Sequence, residues 1–121
     1  MVQGEIHAYP NYGWHPISVN AAIASINYLI SNKDELLKNV EKVSALFSDR
    51  LNLMEFREEI NLNIKGLAIG IDVGYPVKIC KKALQKGLLI EYNENNLMMF
   101  PALNLDIEIA NAGLDILEEC I

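Results

Sequence analysis

Apolar residues recur along this chain with two different periods. Between Pro16 and Ser31, Val19, Ala22, Ile23, Ile26 and Ile30 fall three and four positions apart, the spacing of one helical face. Pro16 suits the first position of that helix, because a missing N–H costs nothing there. Ala21 and Ser25, one turn apart, add a second face small enough for a neighbouring helix to approach closely. A second helix is expected over residues 34–51, with Leu36, Val40, Val43, Phe47 and Leu51 on its apolar stripe. Asp34 and Glu35 stand in its first turn, where the helix dipole favours negative charge.

Residues 52–62 are mixed and acidic and read as a connection, with room for a strand fragment. The period then drops to two. Over residues 64–73, Leu67, Ile69, Ile71 and Val73 point one way, while Ala68, Gly70 and Asp72 point the other. The small residues of that second face predict close approach of a helix or another backbone. Gly74-Tyr75-Pro76 breaks the strand. A third helix over residues 76–86 is expected to bury Val77, Cys80, Ala83 and Leu84, with Gly87 just past its end. Strands over residues 88–92 and 97–100 flank the turn Asn93-Glu94-Asn95-Asn96 and predict a hairpin. After Pro101, Asp106 caps a last helix whose stripe is Ile107, Ala110, Leu114, Leu117 and Ile121. The order α-α-β-α-β-β-α defines an α+β class, a small sheet with helices packed against it. Residues 16–121 read as one domain.

Residues 1–15 differ from the rest. They hold Gly4, Pro10 and Gly13 and show no period, yet carry His7, Tyr9, Tyr12, Trp14 and His15. Aromatic residues are enriched at interface cores, so this lead-in reads as an interface segment. His15 reads as a packed or exposed loop histidine, with a place lining a cleft as the alternative.

Composition narrows the function. Hydrophobic residues make up 51% of the 121 residues and charged ones 21%, as in a globular domain. Sixteen acidic residues against ten Lys and Arg give a net charge of −6, which argues against a nucleic-acid surface. The one basic cluster, Lys78, Lys81, Lys82 and Lys86, lies on a single expected helix and reads as a solvated face. Cys80 and Cys120 do not have the spacing of a disulfide framework or a metal site, so buried reduced thiols are expected. The chain has no apolar run of about 20 residues to span a bilayer. Nor does its start read as a signal peptide, which makes the cytoplasm the expected location. Arg50 and Arg57 lie among Asp49, Glu55, Glu58 and Glu59 and read as surface ion pairs.

Five short segments, in order, resemble a known family. His7-Ala8-Tyr9-Pro10-Asn11-Tyr12-Gly13-Trp14-His15-Pro16 is similar to the segment His-Gly-x-Thr-Tyr/Phe-Ser/Gly-Gly-Asn/His-Pro of the class III pyridoxal-phosphate aminotransferases, which leads into an alanine-rich helix as Ala21-Ala22-Ile23-Ala24 does here. Glu35-Leu36-Leu37-Lys38-Asn39-Val40 resembles their Leu-x-Glu-Asn-Val helix. Gly66-Leu67-Ala68-Ile69-Gly70-Ile71-Asp72 resembles the later part of Arg-Gly-x-Gly-Leu-Met-x-Gly-Ile-Glu, and Gly87-Leu88-Leu89-Ile90 with Pro101-Ala102-Leu103 resembles Gly-Leu-Leu-Val and Pro-Pro-Leu.

The resemblance implies the small C-terminal domain of a fold-type-I enzyme of the acetylornithine, ornithine or omega-amino-acid type. It further implies a pyridoxal phosphate cofactor in the full-length enzyme, a homodimer, and a large cofactor-binding domain that is a missing partner of this chain. The family's threonine, which reaches the cofactor phosphate of the neighbouring subunit, falls on Asn11 counting back from Pro16 and on Pro10 counting forward from His7. Asn can donate a hydrogen bond there and Pro cannot. Asn11 and Tyr12 are therefore the candidate cofactor-binding residues. Many members carry an arginine before Pro-Pro-Leu for a substrate carboxylate. That place is Met98 here, a candidate pocket-lining residue without the bidentate fork of an arginine. Asn63 and Ile64 stand where the strand motif has Arg-Gly.

Transamination needs a lysine to form a Schiff base and an acidic partner for the pyridine nitrogen. In the family both lie in the large domain. No catalytic residue and no metal ligand is assigned in this chain, and the isolated chain is expected to be inactive. The alternative reading is a non-catalytic interaction or assembly module with the same fold.

Overall fold

The computed structural model describes residues 14–121, which fall into two units, one ending at Lys33 and the other running Asp34–Ile121. Asn11 and Tyr12 lie outside the described residues. In the first unit, α1 spans Pro16–Ser31, with the bounds the sequence predicts. Local terms suffice to shape it. Pro16 stands in its first turn, and Asn32 closes its end, both its backbone N–H and its side-chain amide donating to the Tyr28 carbonyl. The expected apolar stripe is not buried: Val19, Ile23, Ile26 and Ile30 are all exposed.

The second unit is built from α2 (Lys33–Leu53), β1 (Asn61–Lys65), β2 (Ala68–Asp72), α3 (Pro76–Gln85), β3 (Glu91–Asn93), β4 (Asn96–Met99) and α4 (Ile107–Glu118). The α+β class holds. The order α-α-β-α-β-β-α is corrected to one with a fourth strand, because the single strand expected over residues 64–73 is a hairpin. Lys65 pairs with Ala68 across a two-residue loop, and Gly66 takes φ +59° at its first position. That is where a type II′ turn favours glycine. The alternation runs straight through the turn, which is why it reads as one strand.

All strand pairs are antiparallel, in the order β1-β2-β4-β3, so two hairpins lie side by side and α3 carries the chain between them. One sheet face turns Ile69, Ile71 and Leu97 into the core. Val43, Phe47 and Leu51 of α2, Ile79 and Ala83 of α3, and Ala110, Leu114 and Leu117 of α4 complete it. Burying a side chain of this size is worth about 1.5–3 kcal/mol, so this shared core holds the unit together. Two residues expected inside α3's face, Val77 and Leu84, are exposed, and Ile79 takes their place. The α3 stripe is narrower than the sequence suggests, because its flank is left open.

Polar contacts fix the helices relative to each other. Arg50 of α2 donates to Asn111, Asp115 and Glu118 of α4. It pairs there rather than with the acids beside it in sequence. Arg57 sits 5.9 Å from the Tyr75 ring centroid, in reach of its negative face. Lys82 donates to the Cys120 carbonyl and Lys86 to the Glu119 carboxylate, so half of the basic cluster ties α3 to the end of α4. Cys80 and Cys120 are both free and buried, as expected.

Candidate functional site: the open face of the sheet

The second face of the sheet is uncovered within its unit. In an antiparallel sheet, directly opposed residues share a face. The register therefore aligns Asn63, Gly70, Met98 and Glu91 in one row across all four strands. The next row on this face is Asn61, Asp72, Asn96 and Asn93. Every member of the second row is exposed, while Met98 at the centre of the first is half-buried.

The rows frame a recess of about 440 Å³, lined among others by Asn63, Lys65, Gly70, Asn96, Met98 and Phe100. Its floor opens at Gly70. A Cβ built there would meet no heavy atom within 4 Å. The expected close approach of another backbone to this small-residue face is therefore absent within the unit. A second recess, of about 420 Å³, lies between the β3–β4 hairpin and α4, where Leu89, Phe100, Leu105 and Ile109 line it. Met98 and Phe100 line both recesses, so these two side chains form the wall between them.

The residues that place Met98 are local. β4 alternates Leu97 into the core and Met98 outward. Asn39 of α2 donates to the carbonyls of Leu103 and Leu105 at 2.9 and 3.0 Å, which anchors the segment after Pro101. At the other end of the sheet, the Val73 N–H donates to the Asn95 carbonyl at 2.7 Å and holds the hairpin turn against the end of β2. Sequence reasoning identifies Met98 but misses its neighbours Asn63, Gly70 and Phe100. Asn63 reaches Gly70 through the Gly66 hairpin, which the glycine inside an alternating run signals, and Gly70 meets Met98 through the pairing of β2 with β4.

Among the described residues, the open face carries no assembly of reactive groups. Pyridoxal phosphate asks for a lysine, a carboxylate for its ring nitrogen, and several donors for its phosphate. Here the recess offers one lysine, Lys65, at an exposed strand end, and no arginine or hydroxyl side chain lines it. The described residues therefore do not by themselves make a cradle for that cofactor, and no chemical step is assigned to them. His15 is exposed and its side chain makes no capping bond to α1. No group of three or more His, Cys, Asp or Glu among the described residues is placed to hold a metal ion. No helix among them is long and apolar enough to cross a membrane.

With this geometry in place, the likeness to known proteins is specific. The sequence model of the family "Aminotransferase class-III" matches residues 4–121. An acetylornithine aminotransferase of Caldanaerobacter subterraneus subsp. tengcongensis is 31% identical over 115 residues, covering 91% of this chain and 29% of its own length. A mitochondrial acetylornithine aminotransferase of Yarrowia lipolytica is 32% identical, covering 91% of this chain and 28% of its own. Among solved structures, an acetylornithine aminotransferase from Elizabethkingia anophelis superposes with a TM-score of 0.73 at 20% identity, over 100% of this chain and 31% of that one. An S-selective transaminase from an Arthrobacter species gives 0.76 at 19% identity, over 95% and 30%. At such identities the structural likeness speaks for the fold alone. The chain spans less than a third of the length of these relatives. Because the family match runs across nearly all of its residues, the chain belongs to the class III aminotransferases.

Proposed function

We propose that this chain is the small C-terminal domain of a pyridoxal-phosphate-dependent class III aminotransferase, which moves an amino group to a keto acid. One observation carries the reading. The family match covers residues 4–121, while the chain corresponds to less than a third of each relative described above. The reactive lysine and most of the cofactor's contacts then belong to a large partner domain. The open sheet face around Met98 closes over the reacting centre, and α1, with its exposed isoleucines, meets the rest of the enzyme.

On this reading residues 16–121 act as one domain, and residues 1–15 are an interface segment in a homodimer. Asn11 and Tyr12 reach toward the cofactor phosphate of the neighbouring subunit. The enzyme works in the cytoplasm, consistent with two reduced cysteines. The isolated chain is inactive. To test this, the purified chain is incubated with pyridoxal phosphate, an amino donor and a keto acid, then reduced with borohydride and analysed by peptide mass. The expected result is no transamination and no stoichiometric adduct at a single lysine. Turnover together with such an adduct would overturn the proposal.

A further inference from the structure

We propose that the outer edge of β1 pairs antiparallel with β1 of a second copy of this chain, joining two four-stranded sheets into one. The inference goes beyond the aminotransferase reading and does not rest on it. Three observations carry it.

The first is an open edge. The order β1-β2-β4-β3 leaves β1 and β3 at the margins of the sheet. β3 is three residues long and packs beside α3. β1 is five residues long, holds no proline, and keeps an unbroken register with β2 from Asn61 to Lys65. It thus lacks the bulge or proline with which natural edges turn away a second strand. In a two-residue hairpin the closing pair exchanges both backbone bonds, and bonded pairs alternate from there. Lys65, Asn63 and Asn61 therefore direct their backbone groups at β2, while Ile64 and Leu62 turn theirs outward. No backbone bond from elsewhere among the described residues reaches those two.

The second is a strand that matches itself. Asn63 set opposite Asn63 of a second copy puts Leu62 opposite Ile64 and Asn61 opposite Lys65. The outward backbone groups of Leu62 and Ile64 then meet each other and exchange both bonds. Their side chains are half-buried at the margin of the core, so the pairing continues the apolar face across the junction. On the other face only amides and the Lys65 ammonium meet, with no like charges opposed.

The third is charge. Lys65 ends β1, and the exposed Glu59 stands two residues before its start. Antiparallel pairing brings Lys65 of each chain toward Glu59 of the other. Parallel pairing would set like charge beside like. This match is built into β1 itself, which favours a second copy over an unrelated extended peptide.

The test uses the full chain carrying Asn63→Cys in a glutathione redox buffer. Opposed residues of a non-bonded antiparallel pair have Cα atoms about 4.5 Å apart, inside the span of about 4.4–6.8 Å that a disulfide bridges. The expected result is a disulfide-linked dimer in which peptide mass shows position 63 joined to position 63. Asn96→Cys, on a central strand of the same face, should give no dimer at the same protein concentration. Ile64→Pro added to the first variant should abolish the link, because the N–H it removes faces away from β2 and an edge strand tolerates it. In the unsubstituted chain labelled with nitrogen-15, the Leu62 and Ile64 amides should gain protection from exchange as protein concentration rises. Absence of the position-63 link overturns the inference. So does an equal link through Asn96→Cys, a link that survives Ile64→Pro, or exchange at Leu62 and Ile64 that ignores concentration. The aminotransferase reading fails on a different readout, a native protein that neither carries pyridoxal phosphate nor transaminates, and neither result decides the other.

Discussion

Arg50 of α2 donates from Nη2 to Asp115 Oδ1 at 2.7 Å and to Glu118 Oε2 at 2.9 Å, so one guanidinium fastens α2 to α4. The arrangement is charge-assisted and partly sheltered, unlike a lone surface pair. Arg50→Met is expected to lower the urea midpoint followed by circular dichroism. Added salt should weaken the wild type more than the variant. Equal salt responses would show that the pair does not contribute.

The two faces of β4 predict opposite outcomes for neighbouring residues. Leu97 is fully buried and Met98 stands on the open face. Leu97→Ala should cost about 3 kcal/mol through lost burial and the cavity left behind. Met98→Ala should cost about 1 kcal/mol or less. Urea unfolding of both variants checks the register. Similar costs at the two positions would place the open face wrongly.

Glu94 occupies the first position of the β3–β4 turn with φ +50°, a conformation that disfavours residues with a Cβ. Glu94→Gly is expected to stabilise the chain by about 1 kcal/mol, less the backbone freedom that glycine adds to the unfolded state. The opposite sign is expected at Asp106. Its carboxylate accepts from the Glu108 and Ile109 N–H groups, so Asp106→Ala should cost about 1 kcal/mol.

Lys86 is held above the ordinary lysine value by its hydrogen bond to Glu119 and by that residue's charge. Since the folded value is the raised one, the contribution is complete below the ordinary lysine value. It disappears as pH climbs through the raised value. Stability should therefore fall on the alkaline side, and Glu119→Gln should flatten that limb in a denaturant series across pH. Burial likewise pushes the Cys80 thiol up, so the thiolate needed for alkylation is scarce at pH 8. Iodoacetamide should label Cys80 slowly in the folded chain and rapidly in urea.

Where local patterns decide the structure, the sequence is legible. α1 starts at Pro16 and α4 is capped by Asp106, as their end residues predict. Leu67, Ile69, Ile71 and Val73 are all buried, as their alternation predicts. The hairpin at Gly66 is different. Apolar and polar positions keep step through the turn, so periodicity does not register the reversal, and only the glycine marks it. That one turn brings Asn63 beside Gly70. Arg50 is a similar case: its acidic neighbours in sequence suggest local pairs, while its partners lie 61 to 68 positions away and are set by packing. Met98 is identified from its place before Pro101, but the recess around it exists only once the four strands are in register.

On the proposed reading this chain acts as part of a transaminase. The most direct measurement is to purify the native species that contains it from the source cells with an antibody against residues 34–121, then assay that species for bound pyridoxal phosphate and amino-group transfer. The expected result is a species larger than 13.6 kDa that carries the cofactor and transaminates. A native species of 13.6 kDa with neither cofactor nor activity would contradict it, and would favour a non-catalytic module built on the same fold.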